Sequence, residues 1–287
     1  MNKLKYIEEI LSDKLMSYIG DTAEEIRIRI NRPVTVMYPD RELVTDITFN
    51  RSDMANLIER ITKSSLYAFS DDLANGFITA YGGHRIGVAG TAVYENGKIK
   101  AVKDISYINI RIAHEMKGIG EGVYAKIVQN GKIANTLIVS PPNGGKTTLL
   151  RDLTRLISDN VKKCRVSVID ERNEISAVYM GEPQNDIGKR TDVLNGYSKP
   201  DGIIRALRSM SPDVIILDEI GGNDDENAVF RCGYSGVSVI ASVHGENVSD
   251  IKKTIPRLLQ KKVFEYCIFI DKTKRTCKIL SAGDIND

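Results

Sequence analysis

Apolar and polar positions change rhythm midway along these 287 residues. From Leu4 to Ile19 the apolar residues recur at helical spacing, with Ile7, Ile10, Leu11, Leu15 and Ile19 on one side and Gly20 as the stop. Glu25-Ile26-Arg27-Ile28-Arg29-Ile30 then alternates strictly, as a strand with one buried face does. Asn31-Arg32-Pro33 turns into a second strand, Val34-Thr35-Val36. The spacing predicts a helix through Leu57, Ile58 and Ile61 capped by Ser52, and another over Ser65–Ala74 closed by Asn75-Gly76. Phe77–Tyr94 and Lys98–Val102, joined at Asn96-Gly97, read as a strand pair, and Ile105–Ile112 alternates again.

Beyond Lys117-Gly118-Ile119-Gly120-Glu121-Gly122, a glycine-bearing linker, the beat is different. Short apolar runs alternate with helical stretches: Thr136–Val139, Arg165–Ile169, Val214–Leu217, Val237–Ser242 and Val263–Ile270. The alternation of such runs with helices makes a mainly parallel sheet. The expected architecture is α/β: a small N-terminal α+β domain over 1–116, a linker and entry helix over 117–133, and a parallel-sheet domain over 134–287. Two polar stretches, Gly181–Pro200 and Gly221–Asp225, follow strands that end in acids, where active-site loops of such sheets sit.

Charge narrows the function. Forty basic and 38 acidic residues give a formal net charge of +2, which argues against a mainly electrostatic nucleic-acid or membrane-surface binder and leaves only a local patch open. Nucleic acid is therefore not an expected partner. No apolar run reaches membrane-spanning length, so no direct membrane span is expected. Glu8 and Glu9 stand where a signal peptide would be apolar, and the expected location is cytoplasmic unless a partner holds the chain at a membrane. Cys164, Cys232, Cys267 and Cys277 form no Cys-x-x-Cys pair and read as reduced, mostly packed thiols. His84, His114 and His244 are too scattered for a His-based metal site.

Candidate chemistry begins at Ser140-Pro141-Pro142-Asn143-Gly144-Gly145-Lys146-Thr147-Thr148, between an apolar strand and a helix. In that setting Gly-Lys-Thr is a P-loop: backbone N–H groups cradle phosphates, Lys146 bridges β- and γ-phosphates, and Thr147 ligates Mg²⁺. The motif asks for glycine where Ser140 stands. The strand Val214–Leu217 ends in Asp218-Glu219, with Asp218 suited to hold Mg²⁺ through water and Glu219 to act as general base. Asp170-Glu171-Arg172-Asn173-Glu174 is a second acidic strand end, able to position water or metal, or simply a solvated helix start. His244 ends another strand and suits a γ-phosphate sensor, though a lone histidine is more often structural. Arg205, Arg208, Arg85 and Arg111 are arginine-finger candidates, each with a surface ion pair as the plainer reading.

Taken in order, the motifs form a chain. Pro141-Pro142-x-x-Gly145-Lys146-Thr147-Thr148-Leu149-Leu150-Arg151-Asp152 is followed by Asp170-Glu171-Arg172-x-Glu174-Ile175 and by Pro183-Gln184-Asn185-Asp186. Then come Arg208-Ser209-Met210-Ser211-Pro212-Asp213, Asp218-Glu219-Ile220-Gly221-Gly222 and Val243-His244-Gly245, with Gly82-Gly83-His84-Arg85 upstream. Over nearly its whole length the chain resembles the stage III sporulation protein AA family of endospore-forming bacteria, which is similar to hexameric secretion and pilus-motor ATPases. The resemblance implies a RecA-like ATPase domain after the N-terminal domain, ATP and Mg²⁺ as cofactors, and a homo-hexameric ring. It further implies membrane-embedded channel or secretion partners on the mother-cell side, energised by ATP hydrolysis. The same resemblance makes Glu171 or Glu174 a competitor of Glu219 for the base role, gives His244 a histidine-box position, and raises Arg85 and Arg111 as nucleotide contacts. The arginine that secretion ATPases commonly carry after the acidic strand is absent, since Gly221 follows Ile220 here.

Two other readings keep the fold and change the function. One is a nucleic-acid-stimulated motor, on the warrant of Arg27, Arg29, Arg32, Lys98, Lys100 and Lys103. The other is a nucleotide-switched scaffold with little turnover, against which the complete P-loop and acidic sets weigh.

Overall fold

The computed structural model describes residues 4–63, 76–271, 276–281 and 283–284; the helix expected over Ser65–Ala74 lies outside the described residues. Two compact units emerge, Met1–Glu115 with Val178–Gln184, and Met116–Ala177 with Asn185–Asp287.

The first unit is an antiparallel sheet backed by helices. Helices α1 (Lys5–Ile10) and α2 (Asp13–Met16) replace the single helix expected from Leu4 to Ile19. The chain breaks because Leu11 is extended and the Ser12 hydroxyl accepts the Leu15 N–H, starting a new helix. Strands β1 (Glu25–Arg29), β2 (Pro33–Met37) and β3 (Glu42–Thr48) precede α3 (Arg51–Ile61). Its cap is Asn50, not Ser52: the Asn50 side chain accepts from Ser52 and Asp53 N–H, and the Asp53 carboxylate takes the Asn50 N–H in return. Strand β4 (Phe77–Thr79) is parted from β5 (Arg85–Glu95) by a turn at Tyr81–Gly83, so the run Phe77–Tyr94 is two strands. Strand β6 (Lys98–Arg111) runs unbroken through what the pattern divided at Lys103-Asp104. The register slips beside Gly90, where a Cβ would lie 2.5 Å from the Lys103 carbonyl oxygen. The strand order is β3-β2-β1-β6-β5-β4. Ile26, Ile28, Ile86, Ile108 and Ile110 are buried with the helices' Ile7, Leu15 and Leu57 in one core.

The second unit begins with α4 (Glu121–Ile127) and a short hairpin, β7 (Val128–Gln129) and β8 (Lys132–Ile133). Then follow β9 (Thr136–Ser140), α5 (Lys146–Asn160) and β10 (Val166–Asp170). The hairpin β11 (Val178–Tyr179) with β12 (Glu182–Pro183) clusters with the first unit, and the chain resumes at β13 (Thr191–Asn195). Next come α6 (Lys199–Ser209), β14 (Val214–Leu217), α7 (Gly222–Tyr234), β15 (Ser238–His244), α8 (Val248–Thr254), α9 (Pro256–Gln260), β16 (Tyr266–Asp271) and β17 (Thr276–Ser281). The sheet order is β13-β10-β14-β15-β9-β16-β17, parallel except for the β16–β17 pair. Strands β9, β10 and β14 are buried at every residue because helices cover both faces. Ile138, Val168 and Ile216 pack on Leu149, Leu150 and Leu153 of α5, while Val139, Ile215 and Leu217 pack with Ile203 of α6 and Val229 of α7.

Both polar stretches hold regular structure. Gly181–Pro200 contains β12 and the edge strand β13, which is only part-buried and so carries polar residues such as Asp192 and Asn195. Gly221–Asp225 opens α7, with Asp224 and Asp225 in its first turn. Among the described residues no helix is long and apolar enough to cross a membrane. Cys164, Cys232 and Cys267 are buried and Cys277 is exposed. Burial pushes the Cys164 thiol up to about 11, and those of Cys232 and Cys267 up to about 12. A thiol reagent under native conditions is therefore expected to titrate Cys277 first, with the other three reacting only on unfolding; four fast equivalents would contradict this packing.

Candidate nucleotide site

The carboxyl ends of β9, β10, β14 and β15 share one edge of the parallel sheet, and the predicted site residues of the second unit, Arg208 apart, gather there. After Ser140 the chain curls: Gly144 N–H donates to the Pro141 carbonyl (3.2 Å), Asn143 has φ +58° and Gly145 has φ +93°. A side chain at Gly145 would be strained in that left-handed conformation. Helix α5 starts at Lys146 with no side-chain cap and no acid in its first turn. Its free N–H groups and the positive end of its dipole suit an anion. The off-pattern Ser140 is explained by its neighbour. Its hydroxyl donates to the Pro141 carbonyl (3.1 Å) and occupies the space where a Cβ on Gly144 would sit.

Lys146 is buried. Its ammonium donates to the carbonyls of Ser140 (3.0 Å) and Pro141 (3.2 Å), and lies 2.8 Å from His244 Nδ1. A lysine only donates, so Nδ1 accepts and the imidazole proton sits on Nε2. That Nε2 is in direct contact with Glu219 Oε1, while Glu219 Oε2 accepts from Arg172 Nη1 (3.0 Å). Both oxygens of Glu219 are engaged, and its backbone is held at φ +35°. Ser242 makes this possible: its hydroxyl donates to Asp218 Oδ1 (2.9 Å) and accepts the Glu219 N–H (3.0 Å). Strand β15 lies between β9 and β14, so Ser242 and His244 bridge the loop and the acidic strand.

The charges show which acids surround the lysine. Burial lowers the Lys146 pKa, and the charges of Glu219, Asp218 and Glu174 pull it back up. Burial raises the Asp218 carboxyl, the Ser242 hydrogen bond opposes this, and the charges of Glu174, Asp170 and Glu219 raise it further. Glu174 thus acts on both Lys146 and Asp218, whereas Glu171 is held 2.6 Å from Lys199 Nζ at the start of α6. The segment that presents Glu174 is shaped by Asp170. This buried carboxylate accepts the N–H groups of Glu174 (2.8 Å), Ile175 (3.3 Å) and Ser176 (2.8 Å), and the Ser176 hydroxyl. Replacing Asp170 by alanine strands those donors and is expected to cost about 3 kcal/mol or more in urea unfolding; a loss below about 1 kcal/mol would show that the turn holds itself.

The charges of Glu174, Asp170 and Glu219 act on Asp218, and those of Glu219, Asp218 and Glu174 on Lys146, so negative charge gathers at this edge of the sheet. Among the described residues no three His, Cys, Asp or Glu side chains could hold a metal by themselves. A cation here needs phosphate oxygens as further ligands, which is how Mg²⁺ binds with nucleotides. Thr147 and Thr148 sit half-buried in the first turn of α5.

Other predicted residues lie elsewhere. Arg208 is exposed in the last turn of α6, which leads back to the amino edge of the sheet, away from the P-loop. Arg205 stacks 5.2 Å from the Tyr197 ring. Arg85 and Arg111 belong to the first unit, directly paired across β5 and β6; Arg85 lies over the Phe77 ring (4.9 Å) and Arg111 lies 3.6 Å from Glu25. Ser242, Lys199 and the positioning role of Asp170 were missed from sequence. Only Asp170, an acid ending an apolar strand, carried a local signal.

The family model described as sporulation stage III, protein AA, matches residues 2–285. Stage III sporulation protein AA of Bacillus subtilis (strain 168) is 38% identical over 280 residues, spanning 93% of this chain and 91% of that protein. Among solved structures, the ATPase DotB of Yersinia pseudotuberculosis has a TM-score of 0.62 at 15% identity, covering 94% of this chain and 78% of that one. The pilus retraction motor PilT, solved with bound ADP, has a TM-score of 0.58 at 15% identity, covering 89% and 76%. At these identities the likeness is one of fold: a RecA-like, mainly parallel α/β unit preceded in the sequence by a smaller N-terminal unit.

Proposed function

The chain belongs to the sporulation stage III protein AA family and has the fold of secretion and pilus ATPases, and on that premise we propose that it is a Mg²⁺-dependent ATPase that energises a channel or secretion complex during sporulation. The observation that carries this reading is the convergence on Lys146 of the P-loop carbonyls, His244 and the charges of Asp218, Glu219 and Glu174. On binding ATP, the lysine would exchange its carbonyl and imidazole partners for β- and γ-phosphate oxygens, while loop N–H groups from Asn143–Thr148 take the remaining charge. Thr147 would ligate the cation directly and Asp218 through water. Mg²⁺ would supply neutralisation of the charge developing on the phosphates.

Water would then attack the γ-phosphorus in line as the bond to the β–γ bridging oxygen breaks and ADP leaves, and a carboxylate would take the water's proton. Glu174 fits that role best because its charge acts on both Lys146 and Asp218, the two groups that would hold the phosphates and the cation. Glu219 has both oxygens engaged by His244 and Arg172, and Glu171 is paired with Lys199. His244 would serve as the sensor, because its two nitrogens join Lys146 to Glu219 and must respond when the lysine changes partner. Arg85 and Arg111 remain candidate nucleotide contacts, and Arg208 a finger only towards a neighbouring copy. A homo-hexamer on the mother-cell side, peripheral to membrane-embedded partners, completes the reading.

The test is phosphate release from ATP by purified protein, with Mg²⁺ and with EDTA, alongside particle mass with and without ATP. Turnover lost in EDTA, and a nucleotide-dependent hexamer, are the expected results. Nucleotide binding without turnover under every condition would overturn the motor in favour of a nucleotide-switched scaffold.

A further inference from the structure

One face of the N-terminal sheet is covered by helices; the other carries charges, Arg27 and Arg29 among them, that are not among the candidate nucleotide contacts. Side chains alternate along each strand, so burying Ile26, Ile28, Ile108 and Ile110 turns their neighbours to the opposite face. Strand register sets these neighbours in three rows. Glu25, Arg111 and Arg85 form the first; Arg27, Asn109 and Gly87 the second; Arg29, Tyr107 and Ala89 the third. Tyr107 is 52% exposed, a large aromatic in open solvent. Gly87 has no side chain, and around it lies a hollow of about 320 Å³ bordered by Arg27, Arg29, Asn109, Tyr107 and Gly76. Asn109 borders that hollow, and its Oδ1, enclosed beneath the surface, has no hydrogen-bond partner among the described residues. A buried amide oxygen without a donor is costly, and a ligand that supplies an N–H would relieve it.

We propose that this face binds single-stranded nucleic acid, with one base seated in the hollow. Asn109 Oδ1 would accept an N–H from the base edge, Tyr107 would offer its ring for stacking, and the guanidinium groups would meet phosphates. Each of these is a different part of a nucleotide, and the register puts them on adjacent strands about 4.8 Å apart. Arginines in all three rows reach beyond a single phosphate, which favours a strand over a free mononucleotide. Lys98, Lys100 and Lys103 lie on the outer part of the β5–β6 hairpin, where Glu95 pairs with Lys100 (2.7 Å) and offsets part of their charge. Glu25 reduces it locally, bound to Arg27 (2.8 Å) and facing Arg111 (3.6 Å), whereas Arg29 reaches the neutral Thr35 hydroxyl (3.4 Å). The net charge of +2 is no objection, because the patch is confined to one face. A duplex keeps its bases stacked and cannot seat one in the hollow.

The test is fluorescence anisotropy with the full chain and labelled oligouridylate, oligodeoxythymidylate or duplex DNA of about 20 nucleotides, over a range of salt. Single strands of either kind are expected to bind, with log affinity falling against log salt at a slope of about −2 to −3. Tyr107→Ala should weaken binding about tenfold and Tyr107→Phe should restore it. Arg29→Gln should reduce the magnitude of the slope by about 0.7, with phosphate release and thermal melting unchanged. Absence of single-strand binding at low salt would overturn the proposal. So would equal affinity for the duplex, wild-type binding by Tyr107→Ala and Arg29→Gln, or competition by UMP as effective per nucleotide as the oligomer.

Discussion

Lys146→Ala is expected to lower phosphate release from ATP by about a thousandfold or more. The side chain is buried at the mouth of the P-loop, where a cation acts in a weakly screening environment. Its partners are two carbonyls and one imidazole nitrogen, neutral groups that it can leave for phosphate oxygens. Three carboxylates, Glu219, Asp218 and Glu174, keep it charged against the pull of burial. Lys146→Arg should not rescue, because a planar guanidinium cannot occupy the space between the Ser140 and Pro141 carbonyls and His244. The comparison needs phosphate release, nucleotide binding and the circular-dichroism spectrum on the same preparations. A folded Lys146→Ala protein with unchanged phosphate release would remove the P-loop from the mechanism.

What could be read from the chain beforehand depended on whether a feature is local. Strands β9, β10 and β14 are buried on both faces, so each is mostly apolar, with Ser167 the one polar residue inside β10, and each was visible as such. The P-loop is consecutive in sequence, and so are the acids after β10 and β14. Strand β13 was hidden because it lies at the sheet's edge and is half polar. The break between α1 and α2 was hidden because the apolar spacing continues across it; only the Ser12 hydroxyl marks the new start. Ser242 and Lys199 were invisible for a different reason. Each acquires its role from an acid on a neighbouring element, 24 residues away for Asp218 and 28 for Glu171. The same holds for Tyr107 and Arg29, which look unrelated in sequence and stand side by side through the register of β1 and β6. Ser140 was a misfit in the motif until the space beside Gly144 gave its hydroxyl a place.

Glu174→Gln is expected to lower kcat by about a hundred- to ten-thousandfold while changing ATP affinity little, the mark of a lost general base. Three glutamates compete for this role, and their surroundings separate them. Glu171 is tied to Lys199 at 2.6 Å, so Glu171→Gln should weaken the link to α6 and reduce turnover only modestly. Glu219 is held between Arg172 and His244, where it fixes the imidazole proton on Nε2 and so leaves Nδ1 to accept from Lys146. Glu219→Gln keeps the shape and an acceptor oxygen but loses the charge that helps keep Lys146 protonated. It should therefore retain measurable turnover and weaken ATP binding, a KM effect larger than its kcat effect. Glu174 faces both Lys146 and Asp218 electrostatically, and its backbone is pinned by Asp170, so the glutamine variant should leave the turn intact. Steady-state kinetics of the three variants decide among them. A Glu219→Gln protein that loses all turnover while Glu174→Gln keeps it would move the base to the Asp218-Glu219 strand end and leave Glu174 as a cation-positioning acid.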